Sequence, residues 1–336
     1  MKLQDFEYDL PRELIAQRPL ERRDQARLMV IDRKNQKISH DIFARVADYL
    51  PKESVLVLND SKVIAARLFG KREATGGKVE IFLLNRLSDG VSFEALIHPL
   101  KKLKIGEKII FNNNGIFARL KDAQKKIVRF NKRNIFEHLE EIGHVPLPPY
   151  IKRADDFSDR EYYQTVYADR EGSVASPTAG LHFTKELLSA LKDAGHGILT
   201  VTLHINYATF RPVKENDITR HHMHFESYSV SKKIFDAIKK ARDQKKKIVA
   251  VGTSSCRTLE AAAQTGKLKG KTNLFIYPGF QFQMADILLT NFHTPASTLL
   301  MLVSAFAGQD FIKKAYREAI EKRYRFFSYG DAMLIL

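Results

Sequence analysis

Cysteine is nearly missing from this chain: Cys256 stands alone among 336 residues. One thiol can form neither an intrachain disulfide nor a cysteine-cluster zinc site, and such usage suits a reducing compartment. Long apolar runs are missing too. The longest lies near Thr298 to Ala307, far short of the ~20 residues that span a bilayer, and reads as a buried helix. The N-terminus, MKLQDFEYDLPRE, is charged and lacks an apolar core, so it does not read as a signal peptide. No low-complexity tract or fixed-period repeat occurs, which argues against solenoids and propellers. These absences lead to the expectation of a soluble, cytoplasmic protein with no membrane partner. The length suggests roughly two domains.

Negative charge is also in short supply. Fifty-five Lys and Arg face 39 Asp and Glu, for a net charge of +16. Such a balance favours polyanions at long range. The excess is clustered: Lys101, Lys102 and Lys104; Lys125, Lys126, Arg129, Lys132 and Arg133; Lys239, Lys240, Arg242 and Lys245, Lys246 and Lys247; and Lys313 to Arg325. Any one cluster is explained by a solvated helix face. Together they favour nucleic acid as a partner over a basic membrane-surface helix.

Several catalytic fingerprints are absent. There is no GxGxxG, so an ordinary dinucleotide site is disfavoured. Gly266-Lys-Leu-Lys-Gly270-Lys271-Thr272 has one residue too few for a P-loop and follows a helix pattern where a strand is needed; it reads as a basic loop. HExxH and GxSxG do not occur.

The periodicity that is present describes an α/β chain with an all-β insertion. Arg27 to Asp32 and Val55 to Leu58 read as buried strands, with helical spacing from Ile42 to Leu50 between them. From Val63 to Phe130, short alternating runs are separated by turn residues at Thr75 to Gly77, Ser88 to Gly90, Ile105-Gly106 and Asn112 to Gly115. That is the signature of a small barrel. Asn134 to Ile142 reads as a short helix, and GHVPLPPY (Gly143 to Tyr150) as a proline-stiffened linker. Beyond Tyr162, helix and strand patterns alternate. Strands are expected at Ile198 to Ile205, Ile248 to Val251, Asn273 to Tyr277, Asp286 to Asn291 and Ala332 to Leu336. Helices are expected at Thr184 to Ala194, Ser231 to Lys245, Ser255 to Gln264, Thr298 to Ala307 and Phe311 to Tyr324. The expected architecture is a discontinuous α/β, α/β-barrel-like main domain, residues 1–62 and 150–336, with a small all-β barrel inserted at 63–149.

Chemistry-bearing residues gather at the ends of these strand patterns. In GSVASPTAGLHFT (Gly172 to Thr184), small residues up to Gly180 allow backbone to approach a ligand, Pro177 fixes a turn with Thr178 behind it, and Thr184 caps a helix start. His182 lies on that turn, where an imidazole serves as general acid or base near neutral pH. An ordinary loop into a helix is the alternative, and the functional reading is placed ahead of it. HHMHFE (His221 to Glu226) places His222, His224 and Glu226 at period two. A metal site is one reading. Acid–base use is preferred, because no further ligands stand out. In VGTSSCRTLE (Val251 to Glu260), Thr253 and Ser254 are placed to cap a helix whose first-turn Arg257 could hold a carboxylate or phosphate; a capped helix with a surface arginine is nearly as good a reading. Asp60 in NDSK, Asn291 and His293 in NFHTPAS, and Asp331 in YGDAM occupy comparable turns.

The same segments carry a resemblance. YDLPRELIAQRPLERRDQARLMV, LVLNDSKVIAARL, TGGKVEIFLL, GHVPLPPYIKR, YYQTVYA, ASPTAGLHFT, HHMHFE, AVGTSSCRTLE, IYPGFQF, LLTNFHTPASTLLMLVSAFAG and YRFFSYGDAMLI run in order over nearly the whole chain. They resemble the S-adenosylmethionine:tRNA ribosyltransferase-isomerase family of queuosine biosynthesis. One departure stands out: where that family reads LHVGxGTF, this chain has Leu203-His204-Ile-Asn206-Tyr-Ala208-Thr209-Phe. The resemblance implies transfer and isomerisation of the ribosyl part of S-adenosylmethionine onto 7-aminomethyl-7-deazaguanine in the tRNA anticodon, with adenine and methionine released. It implies no metal and no permanently bound cofactor, only S-adenosylmethionine as co-substrate. On it, His182, His204, His224 and Glu226 are candidates for the acid and base roles. Arg257 and Asp331 are candidates for holding the methionine carboxylate and ammonium. Asp60, Pro177, Thr178, Gly180, Thr253, Asn291 and His293 are candidates for contacting the rest of the substrate. Lys101, Lys102, Lys104, Lys245, Lys246 and Lys247 are candidates for tRNA phosphates, and a monomer is expected.

Two other functions compete. A methyltransferase acting on RNA would use the same co-substrate but yield S-adenosylhomocysteine, and the glycine-rich cofactor loop of Rossmann methyltransferases is missing. A non-catalytic RNA-binding module would explain the charge but not the histidines at strand ends.

Overall fold

The computed structural model describes residues 1–111, 115–210 and 212–336; of the expected turn at Asn112 to Gly115, all but Gly115 lies outside them. The main sheet is built from apolar runs that hide both faces. Its strands are β1 (Arg27–Asp32), β2 (Lys37–Ile42), β3 (Val55–Asn59), β4 (Gly197–Leu203), β5 (Glu226–Ser229), β6 (Ile248–Val251), β7 (Lys269–Thr272), β8 (Ile287–Asn291) and β9 (Ala332–Ile335). Strands β3, β6 and β8 are buried along their length, as expected for parallel strands covered by other structure on both sides.

Spatially the order is β7-β5-β4-β3-β6-β8-β9-β1-β2. The central strands β4, β3, β6 and β8 are mutually parallel. Their carboxyl ends, Leu203, Asn59, Val251 and Asn291, therefore meet along one rim. Alternate residues feed two cores: Val55, Val57, Val201, Ala250 and Leu288 on one face, and Leu56, Leu58, Val249, Val251 and Leu289 on the other. The edges, β7 and β2, do not pair with each other among the described residues.

Helices α1 (Lys185–Asp193), α2 (Lys232–Asp243), α3 (Gly252–Thr265), α4 (Thr298–Ala307) and α5 (Gln309–Glu321) cover the sheet. Thr184 caps α1 by accepting from Leu187 N at 3.0 Å, and Ser231 caps α2 by accepting from Ile234 N at 3.2 Å, which satisfies amides that the helices leave unpaired. Helix α2 buries Phe235, Ile238 and Ala241 at three-residue spacing and turns its lysines outward. No helix among the described residues is long and apolar enough to cross a membrane.

The barrel follows β3 in the chain. Its strands, in spatial order, are Arg67–Arg72, Lys78–Arg86, Ser92–His98, Ile127–Phe130, Phe117–Asp122 and Lys108–Ile110. Pairing of Lys71 and Arg72 with Ile110 and Ile109 closes the ring, so these six antiparallel strands leave no edge between them. Leu68, Ile81, Phe93, Ile109, Leu120 and Val128 fill the interior. The protein is thus the expected α/β fold with a small closed β-barrel attached.

Two local expectations fail. Asn273 to Tyr277 is not a strand; β7 comes earlier, inside the stretch read as a basic loop. The reason is tertiary. Lys269 and Lys271 protect an edge with charge, while the Leu274 carbonyl accepts from Arg257 Nε at 3.1 Å and is not available to a ladder.

One buried carboxylate ties the sheet to its cover. Glu260 of α3 is fully buried and accepts from the amides of Gln283, Met284 and Ala285 at 2.7, 2.9 and 3.0 Å. Glu260→Ala would strand three amides, each costing about 1–3 kcal/mol. We expect its urea-unfolding free energy to fall by at least about 3 kcal/mol; a loss under about 1 kcal/mol would mean that water replaces the carboxylate.

Candidate active site

Where the parallel strands end, their loops surround a cleft that encloses about 730 Å³, solvent at its mouth included. From β4 and beyond come Leu203, Ile205 and Thr209; from the β6–α3 turn, Gly252, Thr253, Ser254 and Arg257; from β8 onward, Thr290, Asn291 and His293. The segment Ala175 to Ala179 forms another wall, with Pro177 and Thr178 in it. Tyr150 closes a further side, its hydroxyl 2.6 Å from Ser328 Oγ.

The electrostatic centre is a buried ion pair between Glu226, at the start of β5, and Arg257, in the first turns of α3. Glu226 Oε1 also accepts from Asn206 N at 2.9 Å and Thr209 Oγ1 at 3.1 Å. Arg257 spends Nη1 on Glu226 and Nε on Leu274 O. Its Nη2 is buried with no hydrogen-bond partner among the described residues. Ser176 Oγ, Ser254 Oγ and Asn291 Oδ1 are in the same condition, and all four residues line the cleft. Buried polar atoms are normally satisfied, so four unspent ones around one cleft mark a surface made for a polar ligand.

The histidines are scattered rather than convergent. His293 lines the cleft; its Nε2 lies 2.9 Å from Thr290 Oγ1, and burial pushes its pKa down to about 3. His182 sits behind the wall against Phe43, ring centroids 4.9 Å apart, in a small separate cavity with Arg23 and Tyr329. Burial pushes its pKa down to about 4, Asn291 opposing and the Arg325 charge adding to the shift. His204 alternates with Leu203 and Ile205 and does not line the cleft. Its ring sits so close to Gly172 that a Cβ there would lie 3.2 Å away; burial lowers its pKa and nearby Asp60 opposes. His224 is exposed on the neighbouring surface with His221 and Glu215. No group of His, Cys, Asp or Glu among the described residues is arranged to hold a metal.

The remaining candidates divide similarly. Asp60 binds Thr202 Oγ1 at 2.6 Å. Gly180 is needed for packing, since a Cβ would lie 1.9 Å from the Tyr167 hydroxyl. Asp331 is buried away from the cleft and accepts from the amides of Arg27 and Arg325 at 2.9 and 2.8 Å; burial raises its pKa. Lys101, Lys102 and Lys104 are exposed on the barrel. Lys245, Lys246 and Lys247 precede β6, so they occupy the sheet end opposite the cleft, with Lys246 3.0 Å from Glu53 and Lys247 3.7 Å from Asp286. Sequence reading missed Tyr150, Ser176, Ser254, Thr290 and Ser328. Ser254 was read only as a helix cap, and Tyr150 only as the end of a stiff linker.

A polar cleft at the carboxyl ends of parallel strands, with an unspent arginine nitrogen beside a buried carboxylate, defines an α/β enzyme. A family model described as "Queuosine biosynthesis protein" matches residues 3–335, and the chain belongs to that family. It is 53% identical to a Sulfurihydrogenibium sp. protein named S-adenosylmethionine:tRNA ribosyltransferase-isomerase, and 48% identical to the Clostridioides difficile protein of the same name, with both chains fully covered in each case. A crystal structure of S-adenosylmethionine tRNA ribosyltransferase from Thermotoga maritima aligns with a TM-score of 0.57 at 38% identity, covering 99% of this chain and 100% of that one.

The buried imidazoles make stability pH-dependent. A histidine titrates near 6.5 when unfolded. Between there and pH 4, the unfolded chain takes up a proton that folded His182 refuses, so stability falls as pH falls. From pH 7 to 4.5 this loss amounts to about 2 kcal/mol for His182. His182→Asn should lose that much less than wild type over the same interval by urea denaturation; identical losses would show that protons reach the imidazole.

Proposed function

We propose that this enzyme transfers the ribosyl moiety of S-adenosylmethionine to the aminomethyl group of 7-aminomethyl-7-deazaguanine in tRNA and isomerises it to an epoxycyclopentanediol, releasing adenine and methionine. The reading rests chiefly on Arg257. Its free Nη2 beside a neutralised Nη1 suits a carboxylate whose own ammonium keeps the added charge near zero, as at the amino-acid end of S-adenosylmethionine. The full-length likeness to proteins of that name supports the same substrate.

The chemistry needs a base and an acid. The sulfonium acidifies the adjacent ribose carbon, and adenine leaves more easily when protonated. His293 is the cleft-lining imidazole. It is neutral at pH 7 because burial disfavours its cation, so it does not repel a sulfonium. We assign proton transfer to His293. Glu226 fixes Arg257 and shields the developing charge. Asn291 and Ser254 present hydrogen-bonding atoms to ribose or base, with Thr253, Pro177 and Thr178 shaping the wall. His182 acts behind Asn291, and His204 braces the Gly172 turn; both are positioning residues in this assignment. Asp331 holds β1 to the segment at Arg325. RNA phosphates fall to the barrel lysines, because Lys245 to Lys247 face the wrong end of the sheet. With one cysteine and no implied cofactor, the enzyme suits the reducing cytoplasm.

The test is product analysis. Incubation with S-adenosylmethionine and tRNA bearing the aminomethyl base should release adenine and methionine and yield the modified nucleoside on digestion. S-adenosylhomocysteine in their place would identify a methyltransferase. His293→Gln should lower kcat by about 10²–10⁴-fold with RNA affinity retained; wild-type turnover in this variant would remove His293 from the proton transfers.

A further inference from the structure

The outer face of the barrel carries an exposed ring beside an uncompensated pair of cations. Along Arg67–Arg72, Leu68 and Gly70 turn inward while Phe69 and Lys71 are exposed. Phe69 is 45% exposed. The Arg67 guanidinium lies 5.1 Å from its centroid, and the His144 ring meets it edge-on at 4.9 Å. Lys71 stands directly opposite Lys78 in the ladder, and both are exposed.

Like charges directly opposed on a sheet are destabilising, and the neighbouring carboxylates do not relieve them. Glu80 is held by Arg67, Glu73 by Lys108 and Glu107 by Arg72, each at 2.6 Å. Among the described residues, neither Lys71 nor Lys78 joins an ion pair. Phe69, Lys71, Lys78, His98 and Pro99 line one shallow groove, and Lys101 and Lys102 follow on the turn Leu100–Lys102. The barrel therefore presents an aromatic face two residues, roughly 6.6 Å along a strand, from two opposed lysines.

We propose that this face is a docking platform for an unpaired RNA nucleotide, its base stacked on Phe69 and its phosphate between Lys71 and Lys78. A ring flanked by cations is the pairing that single-stranded nucleic acid demands, because every base has an apolar face and every link a negative charge. An acidic peptide would use the lysines but leave Phe69 without a stacking partner. The proposal rests on the RNA-modifying function above, and it puts a second contact away from the chemistry. His144 touches the Phe69 ring and Tyr150 lines the cleft. Six Cα-to-Cα steps of chain separate them, at most ~22 Å when extended. That is about six base steps at ~3.4 Å each, so one folded RNA reaches both.

The test compares wild type, Phe69→Ala, Phe69→Tyr and the double variant Lys71→Ala with Lys78→Ala. Binding is measured by titration with a fluorescent RNA hairpin carrying the aminomethyl base, at several salt concentrations, and adenine release at saturating RNA. Phe69→Ala should weaken binding roughly tenfold or more and raise the KM for RNA, with kcat and the urea midpoint unchanged; Phe69→Tyr should restore binding. The double lysine variant should lower the salt slope by about one. If Phe69→Ala binds and turns over like wild type, the platform is wrong and the activity stands. If wild type neither binds nor modifies this RNA, the functional reading fails and the platform with it.

Discussion

The buried pair between Glu226 and Arg257 is the constraint on which the cleft depends. It joins β5, next to the edge of the main sheet, to the first turns of α3, and through Asn206, Thr209 and Leu274 it holds the loop after β4 and the segment after β7. Two charges removed from water are expensive unless paired and hydrogen-bonded. Here that expense is offset by saturating the carboxylate and leaving one guanidinium nitrogen over. The leftover nitrogen is what the pair offers to chemistry.

Other groups around the cleft follow the same logic. Ser176, Ser254 and Asn291 each keep a buried polar atom without a protein partner. Such atoms lower stability in the free enzyme, and binding can recover what they cost. The histidines have been moved the other way. Burial holds His182 and His293 neutral at physiological pH, so neither imidazole repels a sulfonium. Their surroundings therefore suit a cationic co-substrate better than protonated histidines would.

The barrel is covalently inserted yet packs its own interior. Closure removes its edges, so the outer face is free to carry charge without inviting strand addition. It stays mechanically tied to the cleft: Phe82 of the barrel meets Tyr207, on the loop leading from β4 toward Thr209, at 4.7 Å between ring centroids.

Much of the architecture was legible in the residues themselves. Buried strands read as unbroken apolar runs, the insert read as alternating runs between turn residues, and Thr184 read as a cap, because each of these is a local property of consecutive residues. Family membership was legible for the same reason, through long ordered motifs. What escaped was convergence. GSVASPTAGLHFT looked like one functional wall, but residues two or three apart on a tight turn point in different directions: Ser176 to Ala179 face the cleft, Gly180 makes room for Tyr167, and His182 turns behind. Lys245 to Lys247 and Asp331 looked as eligible as any polar turn, since sequence does not say which end of a sheet a residue occupies. The strand at Asn273 to Tyr277 failed because Arg257, seventeen residues before Leu274, takes that residue's carbonyl, which a ladder would need. The sequence alone determined the elements, the charge and the family; only tertiary structure decided which polar groups share a cleft, because that depends on strand order and on which buried charge finds which partner.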